Sequence, residues 1–114
     1  MKELIKILKA VSDKNRMRII KMLEVRPLCV CEITSILGLA TSTVSKHLSL
    51  LKDSGLLFEQ KENKWVIYHL NGSSRDRSIQ QILSLINHWL QEDETIIADR
   101  IKVNEVDRAD ICRG

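Results

Sequence analysis

The chain has 114 residues, of which 44% are hydrophobic but only 4% aromatic. This length suits one compact domain, and the scarcity of aromatic residues favours helices that pack through aliphatic stripes. No apolar run is long enough to cross a membrane, and the N-terminal residues lack the apolar core of a signal peptide. These features exclude a membrane-spanning protein, and we expect a cytoplasmic one.

The formal net charge of +3 is unevenly distributed along the chain. Residues 1–70 contain 12 basic and 7 acidic side chains, whereas residues 71–114 contain 6 and 8. The first part therefore carries a net charge of +5 and the second part −2. A basic N-terminal part suits a domain that presents one face to a polyanion.

Two short amphipathic helices are predicted before Pro27. Their apolar stripes are Leu4, Ile5, Leu8 and Val11 in the first helix, and Met17, Ile20 and Leu23 in the second. Arg16, Arg18 and Lys21 are predicted to lie on or near the exposed side of the second helix. They either contact phosphate there or are solvated, and we favour solvation.

Residues 28–57 predict a helix-turn-helix, around which the rest of the chain is organised. In its first helix Ile33, Ile36 and Leu37 recur at i, i+3 and i+4, and Gly38 follows where a helix end needs a left-handed residue. A second helix is predicted to start after a three-residue turn, with Thr41 as its N-cap, and to end at Gly55. Its apolar stripe consists of Val44, Leu48 and Leu51.

This second helix also has a face that the core does not need. The small or basic residues on or beside that face are Ser42, Thr43, Ser45, Lys46 and Ser49. Such side chains can approach DNA closely, so we predict a recognition helix that enters the major groove. The alternative is an ordinary solvated helix face. His47 flanks the apolar stripe and is interpreted as a packed structural histidine.

After Gly55 the residues change from helix formers to strand formers. Residues 56–60 and 65–70 are predicted strands, and the polar residues 61–64 form the turn between them. A hairpin directly after a recognition helix is a wing, and Lys61 and Lys64 at its tip are placed to contact the DNA backbone. For these lysines the alternative is an ordinary charged turn. The predicted fold is therefore mainly α with a β-hairpin wing, a winged helix-turn-helix.

Residues 79–90 follow a helical period and expose more apolar surface than a small monomer can easily cover. Together with the N-terminal helix they predict a two-fold interface, and hence a homodimer that addresses two DNA half-sites. We divide the chain into a DNA-binding and dimerisation domain, residues 1–95, and a charged C-terminal tail, residues 96–114. The sequence predicts no secondary structure for that tail.

The chain contains three cysteines, Cys29, Cys31 and Cys112. Cys29 and Cys31 lie at the N-terminal edge of the first helix of the helix-turn-helix. Because helix N-termini lower the pKa of a thiol, we expect thiolates there, the soft ligands that As(III), Sb(III), Cd(II) and Pb(II) prefer. A buried cysteine that only packs is the alternative, and Cys-x-Cys alone is a weak signal for a metal site.

The sequence as a whole resembles the ArsR family of winged-helix metalloregulators over residues 2–90. The segments that carry the resemblance are VSDKNRMRIIKML, PLCVCEITSILGLATSTVSKHLSLLKDSGLL and KWVIYHL. The resemblance implies that Leu-Cys-Val-Cys-Glu is an inducer site, most typically for arsenite, and that Ser-Lys-His-Leu belongs to the recognition helix. It further implies a dimeric repressor of a resistance operon that leaves its double-stranded operator when As(III) or Sb(III) binds.

One departure from the family pattern concerns the third sulfur. Many arsenite-responsive members read Cys-x-Cys-x-x-Cys, and Thr34 occupies the third position in this sequence. Either Cys112 supplies the third thiolate, from the tail of the same or of the other subunit, or two thiolates suffice. The zinc site that other members carry on the last helix is not supported, since the required Asp-x-His and His-x-x-Glu spacings are absent.

The spacing of the two thiols suggests how a ligand would act. Residues two apart in a regular helix point about 200° away from each other around the axis. Cys29 and Cys31 therefore could not hold one small ion without unwinding that turn, which would distort the helix that braces the recognition helix. Such a difference between two conformations is what allows an inducer to lower DNA affinity.

Three other functions remain open from the sequence. A winged-helix regulator could respond to Cd(II), Pb(II) or another thiophilic metal ion, or to thiol oxidation. A protein-binding winged helix would never contact DNA. A small thiol enzyme is disfavoured because no histidine lies close in sequence to Cys29 or Cys31, and we predict that the protein is not an enzyme.

Overall fold

The computed structural model describes residues 1–111 of the chain. Helices lead up to a small antiparallel sheet and follow it. In chain order the elements are α1 (Lys2–Val11), α2 (Lys14–Val25), β1 (Leu28–Cys29), α3 (Val30–Leu37), α4 (Thr41–Asp53), β2 (Leu57–Glu62), β3 (Trp65–Leu70), α5 (Arg77–His88), α6 (Glu94–Glu105) and α7 (Arg108–Ile111). The predicted winged helix-turn-helix fold is confirmed.

The helix-turn-helix consists of α3 and α4, joined by the three residues 38–40. Gly38 ends α3 with a left-handed φ of 69°, and its N–H donates to the Thr34 carbonyl at 2.9 Å. The predicted cap of α4 is wrong by one residue. Ala40 has the extended backbone of an N-cap, and Thr41 is already the first helical residue, so no side chain caps this helix.

The sheet has the order β1-β3-β2, with both pairs antiparallel. The hairpin ladder extends to the pair Glu62 and Trp65, so the turn is shorter than the predicted residues 61–64. Asn63 makes this tight turn possible with a positive φ of 57°. Sequence reasoning missed β1, because two residues are too few to show an alternating pattern.

The core is aliphatic, as the composition predicts. It is built from α1 to α6 and from the ends of the strands, and its fully buried members include Ile19, Ile20, Met22, Ile33, Val44, Leu51, Leu56, Ile86 and Val103. The last predicted helix is too long at its C-terminal end. α5 stops at His88, Trp89 takes an extended backbone, and Leu90 has a positive φ of 62°.

The predicted solvation of the basic residues of α2 is wrong. Lys21 is fully buried, and its ammonium donates to the Ile86 carbonyl at 2.9 Å and lies 2.7 Å from a carboxylate oxygen of Glu24. Arg18 forms a two-pronged ion pair with Asp99, at 2.8 and 2.9 Å. Ile86 and Asp99 come from α5 and α6, which are distant in sequence, so the periodicity of α2 alone could not reveal these two partners.

The tail predicted to begin at residue 96 starts inside α6, a helix that packs against α2 and buries Ile96, Asp99 and Val103. The Arg26 guanidinium also donates to the carbonyls of Val103 and Val106. The C-terminal part of the described chain is thus held against α2, and it also packs against α3 of the helix-turn-helix. Among residues 1–111, no helix combines the length and apolar character needed to cross a membrane.

Candidate recognition face and thiol site

One face of α4 is open to solvent along its whole length. Val44, Leu48 and Leu51 are buried in the core, as predicted. The residues predicted to contact DNA are all exposed: Ser42, Thr43, Ser45, Lys46 and Ser49. The structure therefore presents a helix face of hydroxyls and one ammonium that no other described element covers.

The wing is attached to this helix at its root. An ion pair between Lys52 of α4 and Glu59 of β2 joins the two elements. Burial, with the adjacent Glu59 carboxylate, raises the pKa of the Tyr68 phenol on the neighbouring strand. At the far end of the hairpin Lys61 lies on β2, opposite Val66, while Lys64 lies in the turn, and both lysines are exposed.

His47 is held by residues of α2 and its N-cap. The Arg16 guanidinium lies 3.3 Å from the Nδ1 of His47, and the Asp13 carboxylate lies 4.0 Å from the same nitrogen. Arg16 also donates to the Ala10 carbonyl at 2.7 Å. These contacts join α4 to α1 and α2, consistent with a structural histidine.

Cys29 is buried at the junction of the sheet and α3. It is 2% exposed, lies opposite Ile67 in the ladder between β1 and β3, and serves as the N-cap of α3. Cys29 and Glu32 form a capping box, in which the Cys29 N–H donates to a carboxylate oxygen of Glu32 at 2.9 Å. The same residue thus begins the helix and pairs with the wing strand.

The expected thiolate at this helix N-terminus is not supported for Cys29. Burial raises the pKa of its thiol, although the backbone N–H groups of Glu32 and Cys31 act in the opposite direction. The negative charge of Glu32 adds to the increase. Loss of hydration therefore outweighs the favourable helix terminus, and the neutral thiol is favoured.

Cys31 differs from Cys29 in its exposure to solvent. It is exposed and lines a surface pocket together with Thr34, Ser35 and Ile111. The expectation that both thiols lie within one regular helical turn is wrong, because Cys29 is an extended N-cap residue that precedes the helix. The two cysteines still could not hold one small ion without a local rearrangement, since the Cys29 side chain is buried and the Cys31 side chain is exposed.

Cys112, the third predicted ligand, lies outside the described residues. The described chain ends at Ile111, which lines the same pocket as Cys31. The Oγ1 of Thr34, at the position of the missing third sulfur, is buried without a hydrogen-bond partner among the described residues. Within residues 1–111 no group of three or more His, Cys, Asp and Glu side chains is arranged to hold a metal ion.

Sequence reasoning missed the carboxylate beside the thiols and its partners. Glu32 is 1% exposed, and its carboxylate lies 3.0 Å from the guanidinium of Arg26 and 3.4 Å from that of Arg108. The spacing Cys-x-x-Glu before an apolar run was a readable capping signal. Nothing in the sequence indicated Arg108, because its pairing depends on the position of α7, whereas Arg26 lies close to Glu32 in sequence, at the end of α2.

The fold defines a class, the winged helix-turn-helix transcriptional regulators. Residues 13–57 match the family model described as bacterial regulatory protein, arsR family. An arsenical resistance operon repressor of Staphylococcus aureus is 35% identical over 86 residues, which are 75% of this chain and 82% of that protein. The chain belongs to the ArsR family.

Further comparisons agree with this assignment. The arsenical resistance operon repressor of Escherichia coli K12 is 40% identical over 68 residues, 59% of this chain and 58% of the relative. A CadC homolog of Staphylococcus aureus, a cadmium resistance transcriptional regulatory protein, is 38% identical over 68% of this chain and 62% of its own length. The chain therefore spans less than two thirds of each of these two relatives.

Among solved structures, HlyU from Vibrio cholerae N16961 superposes with a TM-score of 0.63 at 30% identity, covering 75% of this chain and 88% of that chain. The relatives are regulators of transcription and not enzymes.

Proposed function

We propose that the protein is a transcriptional repressor that binds double-stranded operator DNA and is released by As(III) or Sb(III) bound to Cys29 and Cys31. The observation that carries the proposal is the position of Cys29 and Cys31 at the junction between the helix-turn-helix and the wing. Cys29 caps α3 and pairs with β3, so one residue connects the helix-turn-helix to the wing. The arsenical resistance repressors among its relatives agree with this function.

In the proposed complex the exposed face of α4 lies in the major groove and the wing lies along the backbone. Lys46 and the hydroxyls of Ser42, Thr43, Ser45 and Ser49 would contact base edges and nearby phosphates. Lys61 and Lys64 would contact phosphates only. Replacing both lysines with Gln removes four phosphate contacts from a homodimer, so it should weaken binding to all duplexes and lower the slope of log affinity against log salt by about 4. An unchanged slope would mean that these lysines of the wing do not contact the DNA phosphates.

The donor chemistry of the site fits a thiophilic ligand. When bound, As(III) or Sb(III) supplies strong bonds to soft thiolate sulfur. Cys29 must lose its proton and leave its buried position to meet Cys31. Cys112 directly follows Ile111, a residue of the Cys31 pocket, so we propose it as the third ligand.

The route from the thiols to the DNA follows the sheet. If Cys29 moves, the capping box of α3 and the short ladder between β1 and β3 are both disturbed. β3 is hydrogen-bonded to β2 along the whole wing, and the ion pair between Glu59 and Lys52 ties β2 to α4. The two DNA-facing elements thus lose their fixed relation when the thiols come together.

We propose that the repressor acts as a homodimer in the cytoplasm. α1 and α5 share a groove, and apolar side chains of the two helices and of the residue that follows α5 are 41 to 51% exposed. These residues are Leu4, Ile5, Leu8, Leu85 and Trp89. A second copy that packs against this surface about a two-fold axis would bury these side chains. It would also place the two recognition helices so that each binds one half of an inverted repeat.

Titration of a DNA complex tests the proposal. A duplex selected from a random pool is bound by the reduced protein, and arsenite, cadmium or zinc is then added while the bound fraction is followed. The proposal requires an inverted repeat in the selected duplex and release by arsenite. If no duplex is enriched in the selection, a protein-binding winged helix is favoured instead.

The second candidate is a transcriptional regulator that responds to Cd(II) or Pb(II), which the similarity to the cadmium resistance regulator favours. It predicts release by cadmium at concentrations at which arsenite has no effect. Release by an oxidant alone, reversed by a reductant, would instead assign the thiols to redox sensing.

A further inference from the structure

Arg108 in the short helix α7 contacts three residues of two separate units. Its guanidinium lies 3.4 Å from the carboxylate of Glu32 and 3.9 Å from that of Glu62, and it stacks over the Trp65 ring at 5.6 Å from the centroid. Glu32 caps the first turn of α3, while Glu62 and Trp65 are the last pair of the wing ladder. One side chain thus joins the thiol site to the end of the wing.

The two carboxylates that Arg108 contacts differ in burial. Glu32 is 1% exposed, whereas the side chain of Glu62 is 57% exposed. Glu32 keeps a second cation at 3.0 Å, the guanidinium of Arg26, and accepts the N–H of Cys29. Loss of Arg108 would therefore leave Glu32 paired and the helix capped, so the contacts of Arg108 are not needed to satisfy a buried charge.

The position of α7 links these contacts to Cys31. Ile111 lies one helical turn after Arg108 and lines the pocket of Cys31. A side chain that moves in this pocket acts on the same four-residue helix that carries Arg108. α7 thereby contacts Glu32, the last residue of the Cys29–Glu32 turn, and shares a pocket with the preceding residue, Cys31.

We infer that Arg108 is a positioning residue that couples the conformation of the Cys29–Glu32 turn to that of the wing. With the turn intact, Arg108 holds Glu62 and Trp65 and fixes the wing for DNA. When the turn rearranges, Glu32 and α7 shift, and Arg108 releases the end of the hairpin. The coupling deepens the proposed function and rests on it for its inducer, but the contacts themselves do not depend on which ligand binds.

A double-mutant cycle tests the coupling without any inducer. Operator affinity is measured for Glu32→Gln, Glu62→Gln and the double variant, each in the parent and in the Arg108→Gln protein. Gln at position 32 still completes a capping box but loses the charge that pairs with Arg26 and Arg108, so the folded fraction of each variant is first established by thermal unfolding. In the parent, we expect the effects of Glu32→Gln and Glu62→Gln on operator affinity to depart from additivity by about threefold or more. In the Arg108→Gln protein, we expect the two effects to be additive within error. Additivity in the parent would overturn the inference.

A second arm follows the wing directly. In protein labelled with fluorotryptophan, the fluorine NMR signal of Trp65, assigned with Trp65→Phe, should shift in Glu32→Gln only when Arg108 is present. The matched control is Lys102→Gln, which removes one positive charge from an exposed position of α6 and should leave the cycle and the signal unchanged. A Trp65 shift that persists in Arg108→Gln would mean that the sheet alone carries the change.

DNA release by arsenite, compared between the parent and Arg108→Gln, distinguishes failure of this inference from failure of the proposed function. If the parent protein releases DNA with arsenite, Arg108→Gln should bind arsenite with unchanged affinity but release DNA several-fold less. Full release by Arg108→Gln would overturn the coupling and leave the repressor intact. A parent that ignores arsenite but shows the non-additive cycle would refute the proposed inducer and support the coupling.

Discussion

Removal of the Asp99 carboxylate should destabilise the protein, because Asp99 fixes α6 against α2. It is 2% exposed and accepts two hydrogen bonds from Arg18, whose side chain is 16% exposed. Breaking a buried ion pair by removing one partner costs about 3 to 5 kcal/mol. Because Arg18 can regain some hydration, we expect the lower end for Asp99→Ala, about 3 kcal/mol, which corresponds to a fall in Tm of roughly 10 °C for a chain of this size.

The assay is urea and thermal unfolding at one fixed protein concentration, since dimerisation would make Tm depend on concentration. The control Glu105→Ala removes an exposed carboxylate from the same helix and should change stability by less than about 0.5 kcal/mol. Arg18→Ala combined with Asp99→Ala should cost clearly less than the sum of the single changes. A cost below about 1 kcal/mol for Asp99→Ala, or strict additivity, would refute the role assigned to this pair.

Three further predictions concern the turn, the buried thiol and the proposed dimer. Gly38→Ala should cost about 1 kcal/mol in urea unfolding because φ is 69° there, whereas Gly72→Ala, which also has open space but no positive φ, should be nearly neutral. In protein carrying Cys31→Ser and Cys112→Ser, the ultraviolet absorbance of the Cys29 thiolate should develop at higher pH in the folded than in the urea-unfolded state, because burial raises its pKa. Because the folded state keeps the Cys29 proton to higher pH, the contribution of this thiol to stability is present below its unfolded-state pKa and is lost as pH rises through its folded-state pKa. If the thiol titrates at the same pH in the folded and unfolded states, the burial argument is contradicted. Leu85→Glu should convert a dimer into a monomer in sedimentation at micromolar concentration, and a parent protein that sediments as a monomer would exclude the proposed interface.

The helix-turn-helix could be predicted because its local signals agree. Ile33, Ile36 and Leu37 have helical spacing, Gly38 is the residue that a left-handed helix end requires, and the hydroxyls of α4 face away from its apolar stripe. Each of these features depends on neighbours within a few residues. The wing was predictable for the same reason, apart from its exact turn.

Most contacts around the thiols could not be predicted, since they join residues far apart in sequence. Arg108 reaches Glu32 only because α7 folds back onto α3, whereas Arg26 lies at the end of α2, close to Glu32 in sequence. The direction of the Cys29 pKa depended on burial, which the helix N-terminus alone does not reveal. The buried Lys21 shows the same limitation, because its carbonyl partner lies at the end of α5.

The proposed sensor is tested most directly by operator affinity of the reduced parent, Cys29→Ser and Cys31→Ser proteins, each with and without arsenite. Serine is a good N-cap, so Cys29→Ser keeps the capping box, and both variants should bind the operator as the parent does. The parent should lose operator affinity by about tenfold or more with arsenite, while each variant changes by less than about twofold, because a hydroxyl cannot replace a thiolate. Normal release of DNA by Cys31→Ser would contradict the sensor.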